Sequence, residues 1–248
     1  MPNFSHPGVA MSHTLHPRPL NLWLYLGTPL AIALALLLLE LTSLDMDIAT
    51  LFFDPAAGQF IGRHSYLLET VLHDRVKQGV IVLGLLALAA FALSLVWPRL
   101  FGWRRELGCL VLALGLSTAF VTPLKKVTQV QCPWSLTQFG GSETYSKLLE
   151  PRPATDKPGL CWPGGHAATG FCLFGLFFML RDRRPRLARA AFVVALVAGS
   201  VLGLGRMMQG AHFLSHNVWT AVFCWLIGLG SYYLILYRHR PSTIINPR

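Results

Sequence analysis

The sequence predicts an all-α bundle of six membrane-spanning helices, and three observations support that prediction. The 248-residue chain is 53% hydrophobic and only 13% charged, about half the roughly 25% charge that a water-soluble domain carries. Its mean hydropathy is +0.50. Six apolar windows punctuate it, each near the roughly 20 residues that a helix needs to cross a bilayer core. This composition excludes a soluble globular enzyme and a disordered chain, and five cysteines are too few for a disulfide-stapled secreted scaffold.

The windows run in order as follows. Leu20 to Leu39 lies between Arg18 and Glu40, Gln78 to Pro98 between Lys77 and Arg99, and Leu107 to Leu124 between Glu106 and Lys125. The fourth extends from about Pro163 to Leu180, the fifth from about Leu187 to Gly205 and the sixth from about Phe213 to Tyr237. The first ends in LLLLELTSLD without a small-residue cleavage site, so it reads as a retained anchor rather than a secretory signal. The organisation that follows is a tail over residues 1–18, one membrane domain over 19–240 and a second tail over 241–248. The longest connection, Lys125 to Trp162, contains CPWSLTQFGG and EPRPATDKPG, and a loop of that length is uncommon unless it has a function.

Charge sets the expected orientation. With six spans, both termini and the 99–106 and 181–189 loops share one side. That side holds twelve arginines against Glu106 and Asp182, which leaves nine basic and nine acidic residues on the other. Positive loops stay inside, so both termini are expected in the cytoplasm. The formal charge of +10 therefore reflects membrane topology. No basic stretch is interleaved with aromatic residues in the manner of a nucleic-acid binder.

Ionisable residues at span ends point to function, and here they gather on the non-cytoplasmic side. Lys125 and Lys126 end the third span, His166 opens the fourth, Arg206 ends the fifth, and His212 and His216 open the sixth. Lysine and arginine neutralise phosphoryl oxygens, and the PGGH helix start offers free backbone N–H groups to an anion. Two histidines can divide the work of nucleophile and general acid. No acidic cluster is available to clamp magnesium, so neither a metal nor another cofactor is expected. The competing reading of His212 and His216, four residues apart, is a metal pair on one helix face.

In these residues the chain resembles the type 2 phosphatidic acid phosphatase (PAP2) superfamily over roughly residues 75–237. The family's motifs are Lys, six residues, Arg-Pro; then Pro-Ser-Gly-His; then Ser-Arg, five residues, His, three residues, Asp. This chain has Lys125 with Cys132-Pro133, then Pro163-Gly164-Gly165-His166, then Gly205-Arg206 with His212 and His216. The resemblance implies that His212 attacks phosphorus, His166 protonates the leaving oxygen, and Lys125 and Arg206 bind phosphoryl oxygens with help from the Gly164 and Gly165 amides. It also implies six helices, a membrane lipid phosphate as substrate and the bilayer as partner. The expected setting is a bacterial inner membrane with a periplasmic site. Lipid A, undecaprenyl diphosphate and phosphatidylglycerol phosphate all suit this chemistry. The alternatives are a phosphotransferase between two lipids and a non-catalytic lipid-phosphate binder.

Four positions depart from the family pattern: Cys132 for Arg, Gly164 for Ser, Gly205 for Ser and His216 for Asp. His216 can accept a hydrogen bond from His212 but brings no negative charge, and Glu143 and Asp156 are weaker candidates for that role. Cys132 and Cys161 lie in the long external loop beside two motifs, in a compartment that permits disulfides, and a bridge between them is expected. Cys109, Cys172 and Cys224 read as packing residues inside spans. Lys126 reads as an interfacial anchor, and the tail histidines His6, His13 and His16 as solvated chain. Trp134 and the segment from Gln138 to Gly141 read as either a lipid entrance or a loop anchor. Gly203 and Gly205 are expected to allow close helix approach.

Overall fold

The computed structural model describes residues 18–238. Most of both tails, including His6, His13, His16, Arg240 and Arg248, therefore lies outside the described residues. Among the described residues, eight α-helices carry the fold: α1 (Thr28–Leu39), α2 (Leu44–Thr50), α3 (Val76–Val96), α4 (Arg104–Thr128), α5 (Gly165–Phe171), α6 (Phe174–Leu180), α7 (Pro185–Met208) and α8 (Leu214–Tyr232). Wider π-helical turns extend α1 backwards over Trp23–Gly27, α3 backwards over Leu67–Arg75 and α8 forwards over Tyr233–Tyr237. A two-stranded hairpin, β1 (Phe53–Asp54) with β2 (Gln59–Phe60), follows α2.

Prolines and glycines set the helix limits. Pro98 forces Trp97 into extended backbone, which ends α3. Pro185 opens α7 at the position where a missing N–H costs nothing. α4 runs past Pro123 and stops at Gln129, whose φ of 51° is left-handed. Lys125 therefore sits in the last turn of α4, which runs about one turn past the predicted end of its window.

Among the described residues, four helices are long and apolar enough to cross a membrane, those covering Leu67–Val96, Pro98–Ser135, Pro185–Met208 and Leu214–Tyr237, or five if the bent pair below is one span. The first and fourth predicted windows are less regular. Trp23–Leu39 and Leu44–Thr50 form a pair bent by 80°, and Gly165–Leu180 is a shorter apolar segment broken between α5 and α6. The segment from α2 to the hairpin was not predicted.

The shortest apolar segment is also among the most buried. α5 and α6 are packed by α4, α7 and α8, with a glycine at each close crossing. A Cβ on Gly170 would lie 2.3 Å from the Gly199 nitrogen on α7, and one on Gly199 would lie 2.3 Å from the Phe171 ring. Gly175 faces Ala113 and Leu110 of α4, and Gly228 of α8 faces the Phe178 ring. Small residues let backbones approach closely where lipid supplies no hydrophobic drive between helices. Gly203 serves the same end, because a Cβ there would meet the Asn217 side chain at 2.9 Å. The more decisive pair, Gly170 and Gly199, was not anticipated. Phe171, Cys172, Phe174, Ala195 and Cys224 form the central apolar cluster, and all three free cysteines are buried.

Candidate active site

The spacing from Arg206 to His212 has a geometric origin. α7 ends in a Schellman motif: Gly210 has φ +72°, its N–H bonds the Met207 carbonyl at 2.9 Å, and the Ala211 N–H bonds the Arg206 carbonyl at 2.9 Å. His212 is the next residue, so the cation and the imidazole are tied through one backbone loop. Gly210 also has to be glycine because the Phe60 ring lies 2.3 Å from where its Cβ would stand. The hairpin is thereby docked on the turn, reinforced by the Gly62 N–H to Met208 carbonyl bond at 2.9 Å.

α8 has no side-chain cap of its own. Asp45 of α2 supplies one, accepting from the Ser215 N–H at 3.0 Å and from the Ser215 hydroxyl. A carboxylate at a helix N-terminus satisfies orphan amides and complements the dipole. Asp45 was not anticipated from the sequence, since its partner lies 170 positions away.

The PGGH segment is stitched to α8. The Gly164 N–H donates to the His216 carbonyl at 3.1 Å, and the Thr220 hydroxyl lies 2.8 Å from the His216 carbonyl and 3.2 Å from that of Gly164. The expected role of the Gly164 amide is thereby corrected, because its proton is already engaged by a carbonyl and is not free for an anion. Gly165 sits beneath Lys125, and a Cβ there would come within 3.2 Å of Nζ.

The Ser-to-Gly departure at Gly164 has a partner in Asn217. A Cβ at Gly164 would stand 2.5 Å from Asn217 Oδ1, so the side-chain space is occupied from α8. Asn217 Nδ2 donates to the Gly203 and Phe213 carbonyls at 3.2 and 3.3 Å. Its Oδ1 has no partner among the described residues. Asn217 was also missed, although it directly follows His216 in the sequence.

Cys132 and Cys161 are disulfide-bonded, with Cα atoms 5.2 Å apart. The bridge pins the exit of α4 to the PGGH segment, alongside the Cys161 N–H to Val130 carbonyl bond at 3.0 Å. Arg152 ties the rest of the long loop to α4, donating to the Thr128 carbonyl at 2.7 Å and the Ser146 hydroxyl at 2.8 Å. Trp134 is carried over the Arg206 guanidinium, 5.5 Å from its ring centre. The Gln138 to Gly141 segment instead packs through Phe139 on Phe53 and Phe60, at 5.2 and 5.0 Å.

His212 and His216 are both 4% exposed, and their ring centres lie 6.0 Å apart. Neither Nδ1 has a hydrogen-bond partner among the described residues. The His216 ring donates to the Cys161 backbone, so the expectation that it accepts a hydrogen bond from His212 is replaced by an anchor to the disulfide loop. Burial holds His212 well below the ordinary imidazole range. The charges of Lys125, His216, Arg206 and His166 press in the same direction, in decreasing order. Those four groups therefore converge on His212, and no carboxylate is among them. Glu143 turns instead to Gln131 and Ser142, and Asp156 is exposed. Lys125 is half-buried while Lys126 is exposed.

A cavity of about 620 Å³ opens beside these groups, lined by Lys125, Gly165 and His166. It continues as an apolar groove between α3, α4 and α5. On α3 the lining is Lys77, Val80, Ile81, Gly84, Leu85 and Leu88, a single helical stripe. From Lys77 to Leu88 the groove runs about 16 Å at the helical rise of 1.5 Å per residue. That is roughly half of a 30 Å hydrocarbon core, or one leaflet. Among the described residues, no three His, Cys, Asp or Glu side chains group as a metal-binding set.

The family model of the PAP2 superfamily matches residues 106–240. A curated relative, the lipid A 4'-phosphatase of Francisella tularensis subsp. novicida, is 29% identical over 203 residues, covering 80% of this chain and 88% of that protein. Among solved structures, the transmembrane PAP2 type phosphatidylglycerolphosphate phosphatase of Bacillus subtilis superposes with a TM-score of 0.51. It is 17% identical, and the match covers 86% of this chain and 98% of that one. The chain belongs to the PAP2 superfamily, in its membrane lipid-phosphatase branch.

Proposed function

We propose that the chain removes a phosphoryl group from a lipid headgroup at the outer leaflet of a bacterial inner membrane, through a phosphohistidine on His212. The observation that carries this reading is the convergence of two cations and two further imidazoles on one buried imidazole, beside a groove one leaflet deep. Such a groove suits a lipid tail, and the cations at its mouth suit a phosphate.

His212, held neutral by its surroundings, attacks phosphorus as the bond to the leaving oxygen breaks. His166 gives its proton to that oxygen. Lys125 and Arg206 hold the non-bridging oxygens as charge builds on them. Water then attacks the phosphohistidine, His166 takes up its proton, and phosphate leaves with His212 restored.

In this reading the bent Trp23–Thr50 pair and the α5–α6 pair each cross the bilayer, making six spans with the four long helices. The arginine-rich end and both termini face the cytoplasm, and the motif end faces the periplasm. Lipid A, the substrate in the curated relative's name, is the first candidate substrate, with undecaprenyl diphosphate and phosphatidylglycerol phosphate beside it.

The test is phosphate release from these lipids in detergent by wild type, His166→Ala and His212→Ala, with and without EDTA. Loss in both variants and indifference to EDTA is the expected result. Activity that collapses with EDTA would move the His212–His216 metal pair to the front. Phosphate passed to a second lipid rather than to water would identify a phosphotransferase.

A further inference from the structure

Among the described residues, Lys77, itself exposed, is the one cation on the cavity wall that the chemistry above does not use. It begins the α3 stripe and lines the same 620 Å³ cavity as Lys125, Gly165 and His166, from a different helix. No carboxylate lines that cavity, and no ion pair to Lys77 is present among the described residues. A phosphate monoester carries about two negative charges at neutral pH, which Lys125 and Arg206 already balance. A third cation facing the same space is then one charge more than a single phosphate needs. The positive-inside rule gives no reason for it either, since Lys77 lies at the motif end of its helix.

We propose that Lys77 binds a second phosphoryl group of the same lipid, one that is not cleaved, and so selects lipids with two phosphates over lipids with one. The inference rests on the lipid-phosphatase reading. It adds that the preferred substrate is either a lipid pyrophosphate or a lipid with phosphates at two separate positions. Both sources share the chemistry of an uncleaved phosphoryl group at the mouth of the tail groove. A charge-assisted contact of this kind is geometrically specific and stronger than a neutral hydrogen bond.

The experiment compares three probes in detergent: phosphatidic acid, diacylglycerol pyrophosphate with the same tails, and an acylated glucosamine disaccharide phosphorylated at both ends. Phosphate release and equilibrium binding are measured for wild type, Lys77→Gln, Lys77→Arg and Lys126→Gln. Lys126 is exposed at the same end of the bundle and controls for general surface charge. The expected result is that Lys77→Gln lowers the kcat/KM preference for a two-phosphate probe over phosphatidic acid about tenfold, mainly through KM. Lys77→Arg should restore most of that preference and Lys126→Gln should leave it intact.

Loss of preference on the pyrophosphate alone assigns Lys77 to an adjacent phosphate, and loss on the disaccharide alone assigns it to a remote one. A wild type that hydrolyses no probe but binds two-phosphate lipids preferentially, with Lys77→Gln abolishing that preference, would overturn the phosphatase reading and keep the role of Lys77. An unchanged preference in Lys77→Gln, or an equal loss on all three probes, would overturn the inference.

Discussion

The two ends of the bundle each draw an arginine in from solvent, Arg181 buried and Arg206 half-buried, and they treat it in opposite ways. At the arginine-rich end Arg181 is 6% exposed and each of its three guanidinium nitrogens is engaged. Nε bonds the Tyr25 hydroxyl at 3.2 Å, Nη2 the Pro19 carbonyl at 2.8 Å, and Nη1 the Arg18 carbonyl, Asp182 and the Tyr232 hydroxyl at 2.8–3.1 Å. Nearby, Arg183 pairs with Glu106 at 2.6 Å. At the motif end Arg206 bonds Gln209 at 2.8 Å, yet its buried Nε has no partner among the described residues, and the same holds for Nδ1 of His212 and of His216. A buried polar atom without a partner costs about 1–3 kcal/mol. One end of the bundle therefore gains stability from its charges. The other carries polar atoms whose proposed partner is the phosphate.

Exchanging the two arginines for an apolar residue sharpens this contrast most. Arg181→Met takes the ion-pair partner from Asp182, which keeps hydrogen bonds from the Arg18 N–H and the Tyr232 hydroxyl, and removes the donor to the Arg18 and Pro19 carbonyls; breaking a buried pair costs about 3–5 kcal/mol. Thermal unfolding in detergent should show a large fall. Arg206→Met should reduce phosphate release by about 10²–10³ while changing stability by less than ~1 kcal/mol. If both variants unfold alike, the contrast is void.

The next effect comes from restoring the family's residue at Gly164. Gly164→Ser drives a Cβ into Asn217 Oδ1, an overpacking cost of about 1–3 kcal/mol. Adding Asn217→Ala should recover part of it in the same unfolding measurement. Asp45→Ala removes the cap on α8 and should cost about 0.5–2 kcal/mol, with Asp45→Asn retaining more of the wild-type stability.

The smallest effect is in pH. Because burial and nearby cations lower the affinity of His212 for a proton, its neutral, nucleophilic form persists below the ordinary imidazole pKa of about 6.5. The acid limb of kcat/KM assigned to it should lie below that value. In Lys125→Gln the largest charge acting on His212 is gone, so the limb should move towards higher pH even as the rate falls. For folding, the unfolded chain binds the His212 proton more readily, so this histidine's contribution to stability is complete above about 6.5 and is lost as pH falls below it.

Much of this architecture was legible in the sequence because its signals are local. Apolar windows located the four long apolar helices to within a few residues, and motif register brought Lys125, His166, Arg206 and His212 to one end. Even the Arg206–His212 spacing had a readable cause, a glycine four residues after the arginine. What escaped depends on contacts between distant segments. Asp45 reaches Ser215 across 170 positions, and α2 with its hairpin has no apolar periodicity long enough to stand out. The Gly164 amide looked free because a helix start leaves its amides unpaired, and only the fold brings the His216 carbonyl against it. His216 looked like a partner for His212 because it stands where the family motif has Asp, but the loop held by Cys132–Cys161 places a competing acceptor beside it. The α5–α6 segment read as one unbroken window, and nothing local in it announced that its glycines let neighbouring helices bury it.

The measurement that bears most directly on the central claim is chemical trapping of the intermediate. The protein is mixed with radiolabelled lipid phosphate, quenched in base and mapped for acid-labile label. The account expects label on the peptide containing His212 in wild type and none in His212→Ala. Label on another residue, or undiminished phosphate release by His212→Ala, would contradict it.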